Sequence, residues 1–289
     1  MSDRKPNAGR SLPQPLAVIL GTNEIASAVA VHLHRADYGV VLSHDPLPPV
    51  IRRKMAFHDA LFNDVAQVEG VTAERADTGL EILAQIARRR GVAITHLGLL
   101  DIIVLRPIDV LVDARMQKYT VMPDLRRLAK TTIGLGPGFC AGANCDVAIE
   151  TQPDAIGLIL KAGETERPDR TAPKLGNKGG ERFVYSSHAG RWHTAIEIGS
   201  RVFKDYFIGN LEGSAITAPF DGILRGVVRD DTEVPAGVKL LEIDARGRRA
   251  TWTGIDMRGR KIARAVMKAI AIGQTKAPAK PAATIYLVE

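Results

Sequence analysis

Residues 16–43 read LAVILGTNEIASAVAVHLHRADYGVVLS. Leu16–Leu20 is a short apolar run closed by Gly21, the mark of a buried strand. Glu24 to Ala36 follows, with Ile25, Val29, Leu33 and Ala36 at helical spacing, and Gly39–Ser43 (GVVLS) is a second strand. Strand, glycine turn, helix and strand in so short a span predict a βαβ unit and hence a parallel sheet.

Working outward, Pro46, Pro48 and Pro49 break the chain after the second strand. The stretch Glu74 to Arg90 contains a predicted helix with Leu80, Leu83, Ile86 and Ala87 on one face; Arg88–Arg90 closes it, where cations suit the helix dipole. Asp101–Leu105 and Asp109–Val112 read as strands split by Arg106-Pro107, and Leu125–Lys130 as a short helical turn. Thr131–Ile133 reads as a strand entering the glycine loop Gly134–Gly142, and Val147–Glu150 as one more strand. These elements place an α/β domain over residues 16–162. The Pro-, Gly- and charge-rich residues 163–182 read as a linker, and residues 1–15 as a disordered tail.

Beyond the linker, residues 185–211 and 217–243 match at an offset of 32. Gly190 corresponds to Gly222, Ile196 to Val228, Val202 to Val234, Ile208 to Leu240 and Leu211 to Ile243. The apolar positions alternate as in strands, so residues 183–245 predict a duplicated, all-β module. In residues 246–289, Met257–Ile272 predicts a helix with Ile262, Ala263, Val266 and Ile270 on one face and Gly273 as its stop; a Pro/Ala/Lys stretch and the apolar Ile285–Val288 follow.

The chain has 289 residues, 45% of them hydrophobic and 25% charged, which suits about two globular domains. Its two cysteines exclude a disulfide scaffold and fit a reducing, cytoplasmic setting. The first 15 residues lack the apolar segment of a secretory signal, and Gly91–Val112 is too interrupted by charge to span a membrane. A formal net charge of +7 raises the question of nucleic acid, but only 5% of residues are aromatic and they do not interleave with the basic ones. A solvated basic surface is expected, without nucleic-acid or membrane partners.

Three stretches suggest chemistry. Gly21-Thr22-Asn23-Glu24 sits where a dinucleotide fingerprint would, although Gly21 is its one glycine. Asn23 tolerates a left-handed backbone, and Asp45 stands where a ribose acceptor would. The turn reads equally as a nucleotide site or as a plain strand–turn–helix. Gly134, Gly136, Gly138 and Gly142 lie within nine residues that follow a strand, which suggests a cradle of backbone amides for an anion, against the plainer reading of a tight crossover. Within the loop, Cys140 is a candidate reactive thiol or a small core residue. Its partner at C-x4-C spacing, Cys145, does not complete a zinc set. Arg52 and Arg53 are a candidate phosphate contact or a solvated pair. Asp113, at a strand end with Arg115 and Lys118 after it, fits the site-lining position of α/β folds or an ordinary surface pair.

Ile133–Thr151 (IGLGPGFCAGANCDVAIET) resembles the signature of an accessory-protein family of molybdenum hydroxylases, the selenium-dependent molybdenum hydroxylase system proteins, related to xanthine dehydrogenase accessory factors. Ala28-Val29-Ala30, His32-Leu33-His34-Arg35 and Gly39-Val40-Val41 resemble that family's first helix and second strand. Ile51-Arg52-Arg53 with Ala56-Phe57 resembles its arginine motif, Val112-Asp113-Ala114 with Lys118 its "VDA…K" segment, and Ser214–Asp244 its C-terminal module. The resemblance covers about residues 16–245. The chain departs from it in a first loop poorer in glycine, in His44 where an acidic residue is expected, and in Gln152-Pro153-Asp154 after "IET".

The resemblance implies a cytoplasmic maturation factor that binds, modifies or inserts the molybdenum cofactor, molybdopterin, holding it transiently. The partners it implies are an apo molybdenum hydroxylase or another cofactor-handling protein, with a homo-oligomer open. Gly21, Asn23, Arg52, Arg53, Asp113, Lys118, Gly134, Gly136, Gly138 and Gly142 are the expected cofactor-binding residues, Cys140 a candidate catalytic residue, and no metal ligands are expected. The fold it implies is a Rossmann-like parallel-sheet domain followed by a small barrel-sandwich module of the biotinyl/lipoyl type and a C-terminal helix. The module's midpoint, Leu211-Glu212-Gly213-Ser214, lacks the lysine of a carrier domain, so neither biotin nor lipoate is expected there. The alternatives carried alongside are an NAD(P)-dependent oxidoreductase and a non-enzymatic partner-binding scaffold.

Overall fold

The computed structural model describes residues 14–118, 120–168 and 172–274. The expected N-terminal tail (save its last two residues), residues 169–171 of the linker and the C-terminal piece Ile285–Val288 lie outside the described residues.

The first part of the chain contributes β1 (Leu16–Leu20), β2 (Gly39–Ser43), β3 (Val65–Val68), β4 (Val71–Arg75), β5 (Val92–Thr95), β6 (Val110–Asp113), β7 (Thr131–Leu135), β8 (Cys140–Ala141), β9 (Val147–Ile149), β10 (Ile159–Leu160) and β11 (Gly163–Glu164). Its helices are α1 (Glu24–Arg35), α2 (Ala60–Asn63), α3 (Gly79–Arg88) and α4 (Leu99–Ile103), and α5 (Met257–Gln274) ends the described chain. Nine strands form one sheet in the order β10-β9-β7-β6-β1-β2-β5-β4-β3. All of its ladders are parallel except those of the edge strands β3 and β10, which are antiparallel. The chain fills the side of β2, then returns to the other side of β1 with β6, so β1 and β6 flank the point where the winding reverses.

Every residue of β1 is buried because both faces of the sheet are covered. Ala17 and Ile19 join one core with α1 and with Ile262, Val266 and Ile270 of α5. Leu16, Val18 and Leu20 join a second core with Ile82 and Ile86 of α3 and Ile102 of α4. Helix α1 is buried almost all round because α5 lies across it.

Several expectations need correcting. Asp101–Leu105 is no strand: α4 occupies Leu99–Ile103, held at its start by the Asp101 carboxylate accepting from Gly98 N at 2.9 Å. The buried face of α3 is Ile82 and Ile86, while Leu80 is 80% exposed. Gly273 does not stop α5; it lies inside the helix, where a Cβ would come within 3.0 Å of Thr131 Oγ1, so its small size lets α5 approach β7.

The second part folds into β12 (Phe183–Tyr185), β13 (Gly190–His193), β14 (Arg201–Val202), β15 (Phe207–Leu211), β16 (Ser214–Thr217), β17 (Gly222–Val227), β18 (Thr232–Val234) and β19 (Lys239–Asp244). They form two four-stranded antiparallel sheets, β12-β19-β17-β14 and β16-β15-β13-β18. Adding the 32-residue offset carries β12 to β16, β13 to β17, β14 to β18 and β15 to β19, and this exchange converts the order of one sheet into that of the other. The repeat positions Val202, Ile208, Leu211, Val228, Val234, Leu240 and Ile243 are all buried in one core around Trp192. The Trp192 indole N–H donates to Val228 O at 3.1 Å. The chain then returns to the first sheet as α5.

Candidate functional site

Near the carboxyl end of β1 the Arg52 ion pairs join Glu24 to Glu242 of the β module, and β1 and β6 flank the reversal of the winding where open α/β sheets hold ligands. Gly21, at φ +104°, is required there, because a Cβ would stand 3.0 Å from Ala114 O. Asn23 ties the two sides together. Its Nδ2 donates to Ala114 O at 2.8 Å, and its Oδ1 accepts from Ile25 N and Ala26 N, so the α1 N-terminus is capped from within. Asp113 is buried and forks onto Arg115, with Arg115 Nη2 to Asp113 Oδ2 at 2.5 Å and Nε to Oδ1 at 3.1 Å. Asp45 accepts from Gln117 Nε2 at 3.1 Å and lies 3.5 Å from Arg115 Nη1, so it too is engaged.

The arginine segment docks the β module onto the sheet. Val227 N donates to Ile51 O at 2.8 Å, Arg53 Nε to Val227 O at 3.0 Å and Lys54 Nζ to Ile198 O at 2.8 Å. Arg53 also pairs with Asp59 at 2.7 Å. Arg52 spans the interface: Nε and Nη2 donate to Glu242 at 2.7 and 3.1 Å, and Nη1 donates to Glu24 at 2.9 Å. Glu242, on β19, is fully buried and also accepts from Arg182 Nε at 2.8 Å. Burial would raise its pKa, but Arg52 and its neighbours hold it down to about 2. Burial opposes the Arg52 charge, and Glu242 and Glu24 more than offset it, so its pKa is raised. Arg225 extends the network to Asp256 at 2.9 Å, and Arg246 forks onto the buried Asp244.

The glycine loop is largely occupied with itself. Gly134 lies within β7, where a Cβ would stand 2.1 Å from Phe139 Cγ; the glycine makes room for that buried ring. Gly136 N donates to Ile149 O, Cys140 N to Asn144 Oδ1 and Gly142 N to Cys145 O. Thr165 Oγ1 donates to Gly136 O at 2.6 Å, and Asn144 Nδ2 to Gly138 O at 2.9 Å. Gly136, Gly138 and Gly142 all have positive φ. Gly136 lies close to the segment after β6 and to Thr151, since a Cβ there would meet Thr151 Oγ1 at 3.0 Å and Met116 Cε at 3.5 Å. Cys140 is half-buried, and burial pushes the Cys145 thiol up to about 12.

Of the expected residues, Gly21 and Asn23 thus touch Ala114, next to Asp113, Arg52 reaches Glu24 beside Asn23, and Gly136 lies near Met116 and Thr151, while Arg53, Gly138, Cys140 and Gly142 are engaged in the local contacts given above. Lys118 is exposed on the segment that follows β6.

Two groups escaped sequence reasoning. Thr22, His44, His58 and His96 gather at the carboxyl ends of β1, β2 and β5. Thr22 Oγ1 lies 2.9 Å from His58 Nδ1 and 3.4 Å from His44 Nδ1, and the His44 ring lies 5.3 and 5.1 Å from those of His58 and His96. Burial, aided by neighbouring cationic and histidine groups, lowers the His58 pKa to about 3 and that of His44 to about 4, so both are neutral at pH 7. Among the described residues, no group of three His, Cys, Asp or Glu side chains is arranged to hold a metal ion. Strand endings alone offered a signal here: Ser43-His44 and Thr95-His96 each place a histidine just past an apolar run.

The second group is cationic. Lys239 begins β19, where the register of β12 slips by one residue, and its ammonium stands 3.8 Å from the Phe183 ring centroid. Arg258 of α5 donates to Thr151 O at 3.3 Å. Neither makes an ion pair among the described residues. Burial, with the charges of Arg52 and Lys118, lowers the Lys239 pKa to about 8; burial also lowers that of Arg258, in the field of Arg52 and Arg182.

No family model matches the chain. It is 30% identical over 265 residues to the protein named Uncharacterized protein YqeB of Escherichia coli (strain K12), a match covering 88% of this chain and 47% of that protein. The chain thus spans about half the length of the curated relative it matches. A crystal structure of an aspartoacylase family protein from Mesorhizobium loti is 13% identical, covering 80% of this chain and 85% of that one, with a TM-score of 0.24, too low to bear on fold or function. Among the described residues, no helix is long and apolar enough to cross a membrane.

Proposed function

We propose that the chain is an accessory protein for maturation of a molybdenum hydroxylase, holding molybdopterin transiently near the carboxyl ends of β1 and β6 and passing it to the apo-enzyme in the cytoplasm. The observation that carries this reading is convergence. The arginine motif, the "VDA…K" segment, the first residues of the glycine signature and the C-terminal module are far apart in sequence, yet Arg52 reaches Glu24 and Glu242, Asn23 reaches Ala114, and Gly136 adjoins Met116 and Thr151. Parts that form the resemblance thus lie close together near the carboxyl ends of β1 and β6.

A phosphate end calls for cations without carboxylate partners, and Lys118, Lys239 and Arg258 make no ion pair among the described residues. Lys118, Lys239 and Arg258 are the residues that would hold it. When bound, the cofactor supplies a dithiolene for a metal; the chain's own part is to bind, orient and shield. In this reading the nine-stranded sheet is Rossmann-like and the β module a barrel-sandwich of the biotinyl/lipoyl type, supported by the exchange of its two sheets under the 32-residue offset.

The test is genetic and biochemical. Removing the chain from its host should leave hydroxylase subunits present but lacking cofactor, with cellular molybdopterin unchanged, and restoring it should recover activity. Normal hydroxylase loading without the chain would reject the reading. Turnover of NAD(P)H by the purified chain would favour the oxidoreductase instead.

A further inference from the structure

We infer that the turn between β14 and β15, which presents Phe203, Tyr206 and Phe207 beside Arg201, is a contact surface for a second copy of this chain. The inference goes beyond the maturation reading and does not rest on it.

The two halves of the β module supply the comparison. The 32-residue offset carries the turn between β14 and β15 onto the turn between β18 and β19. Corresponding backbone hydrogen bonds hold both. Asp205 N donates to Ala218 O at 2.9 Å and Ala218 N to Tyr206 O at 2.9 Å; in the other half, Gly237 N donates to Ser186 O at 2.9 Å and Ser186 N to Val238 O at 2.8 Å. Asp205 has φ +64° and its counterpart Gly237 φ +78°. The side chains differ. Pro235, Ala236, Gly237, Val238 and Lys239 stand in one half where Phe203, Lys204, Asp205, Tyr206 and Phe207 stand in the other. Phe203, Tyr206 and Phe207 are 53%, 46% and 54% exposed. The plain half shows that this turn forms without an aromatic side chain, so packing of the turn does not account for the three. Exposed aromatic side chains gathered on one turn suit the centre of a protein contact.

Charge selects the occupant. Arg201 lies over the Phe203 ring, 5.3 Å from its centroid, and Asp221 accepts from Lys204 N at 2.8 Å. Arg201, Lys204, Asp205 and Asp221 are all exposed. Two cations and two carboxylates around an apolar centre complement a copy of themselves across a two-fold axis, where the cations of each copy meet the carboxylates of the other. An anionic lipid surface or a nucleic acid would instead be repelled by Asp205 and Asp221. At about half exposure each, the three aromatic side chains offer roughly 300 Å² per copy. That is less than the ~800 Å² per partner of a standard stable interface, so the contact is a weak, reversible one.

The experiment is sedimentation velocity of the full chain from micromolar to submillimolar concentration. Wild type should show a reversible monomer–dimer equilibrium with Kd on the order of 10–100 µM. The triple variant Phe203→Ser, Tyr206→Val, Phe207→Lys takes two of its replacements from the plain half. It should weaken the dimer at least about ten-fold and leave the melting temperature of the dilute protein unchanged. The double variant Arg201→Glu, Lys204→Glu keeps the aromatic side chains but makes the rim wholly negative. It should weaken the dimer as much at low salt, and added salt should restore part of the loss. Val65→Lys, on the edge strand β3, should leave the dimer as it is. The inference is overturned by a wild type that stays monomeric throughout, by a dimer that both multiple variants retain, or by one that Val65→Lys abolishes. Growth beyond the dimer with concentration would overturn it too, because a two-fold contact closes on itself.

Discussion

Two sets of residues differ in how they look in sequence. The arginine segment and the glycine loop are conspicuous, and the fold consumes both. Arg52 and Arg53 fasten the β module to the sheet, and Gly134 makes room for Phe139. Lys239, Arg258 and His44 are inconspicuous, yet they are held in unfavourable surroundings that their partners do not offset. A residue type that suits a ligand also suits a neighbour inside the protein. What marks a site is the polar group left without a partner, and that is visible when the charges are paired off in space.

The largest effect expected from breaking this contrast lies at Glu242. Glu242→Gln leaves Arg52, Arg182 and Arg225 facing one another without their shared negative charge and with an NH2 donor in place of one acceptor oxygen, and chemical denaturation should show a loss of about 3–5 kcal/mol. A loss below about 1 kcal/mol would mean that the network is not the fastening described here.

Acid comes next. His58 and His44 have folded pKa values of about 3 and 4, below the ordinary 6.5. As pH falls below 6.5, the unfolded chain takes up protons that the folded chain refuses. The contribution of these histidines is therefore complete above about pH 6.5 and is lost progressively as pH falls toward 3–4, amounting to on the order of 2–4 kcal/mol by pH 5. Glu242, held down to about 2, stays charged across that range and does not contribute to the slope. Denaturation curves between pH 7.5 and 5 should show the decline, and His58→Asn should reduce its slope by about half. An unchanged slope in that variant would remove the buried pair from the explanation.

The glycine loop offers a smaller effect with an internal control. Gly134→Ala forces a methyl group into the Phe139 ring and should cost about 1–3 kcal/mol. Gly142 has positive φ but open space around the position of a Cβ, so Gly142→Ala should cost about 1 kcal/mol. Equal losses would show that packing around Phe139 is not what Gly134 provides.

Much of the scaffold was legible because local pattern and tertiary position agree. Strands β1 and β2 match the apolar runs at Leu16–Leu20 and Gly39–Ser43, and the 32-residue offset maps strand onto strand across the β module. Helix α5 was legible from Ile262, Ala263, Val266 and Ile270, all buried. The misses have physical causes. Leu99–Ile103 is too short and apolar for periodicity to tell a helix from a strand, and the capping Asp101 decides it. Strands β3, β4 and β5 passed unread, β4 overlapping the start of the Glu74–Arg90 stretch whose helical spacing drew attention and β5 just after its end. The site was less legible still. Arg52 and Glu242 are 190 positions apart, and nothing in either neighbourhood names the other. Gly21, Asn23 and Asp113 were picked out as ligand contacts; in the structure the polar groups of Asn23 and Asp113 are spent on Ala114, the α1 amides and Arg115, and Gly21 lies against Ala114.

The most direct test of the central claim is the pterin content of the purified chain, read as fluorescence after oxidation. Wild type, Lys239→Met and Arg258→Met would be isolated from a host that makes molybdopterin, with wild type from a host that cannot as the blank. Pterin should accompany folded wild-type protein, fall at least about ten-fold in both variants, and be absent from the blank. Wild type without pterin, or variants that retain as much as wild type, would contradict the claim that the unpaired cations hold the cofactor.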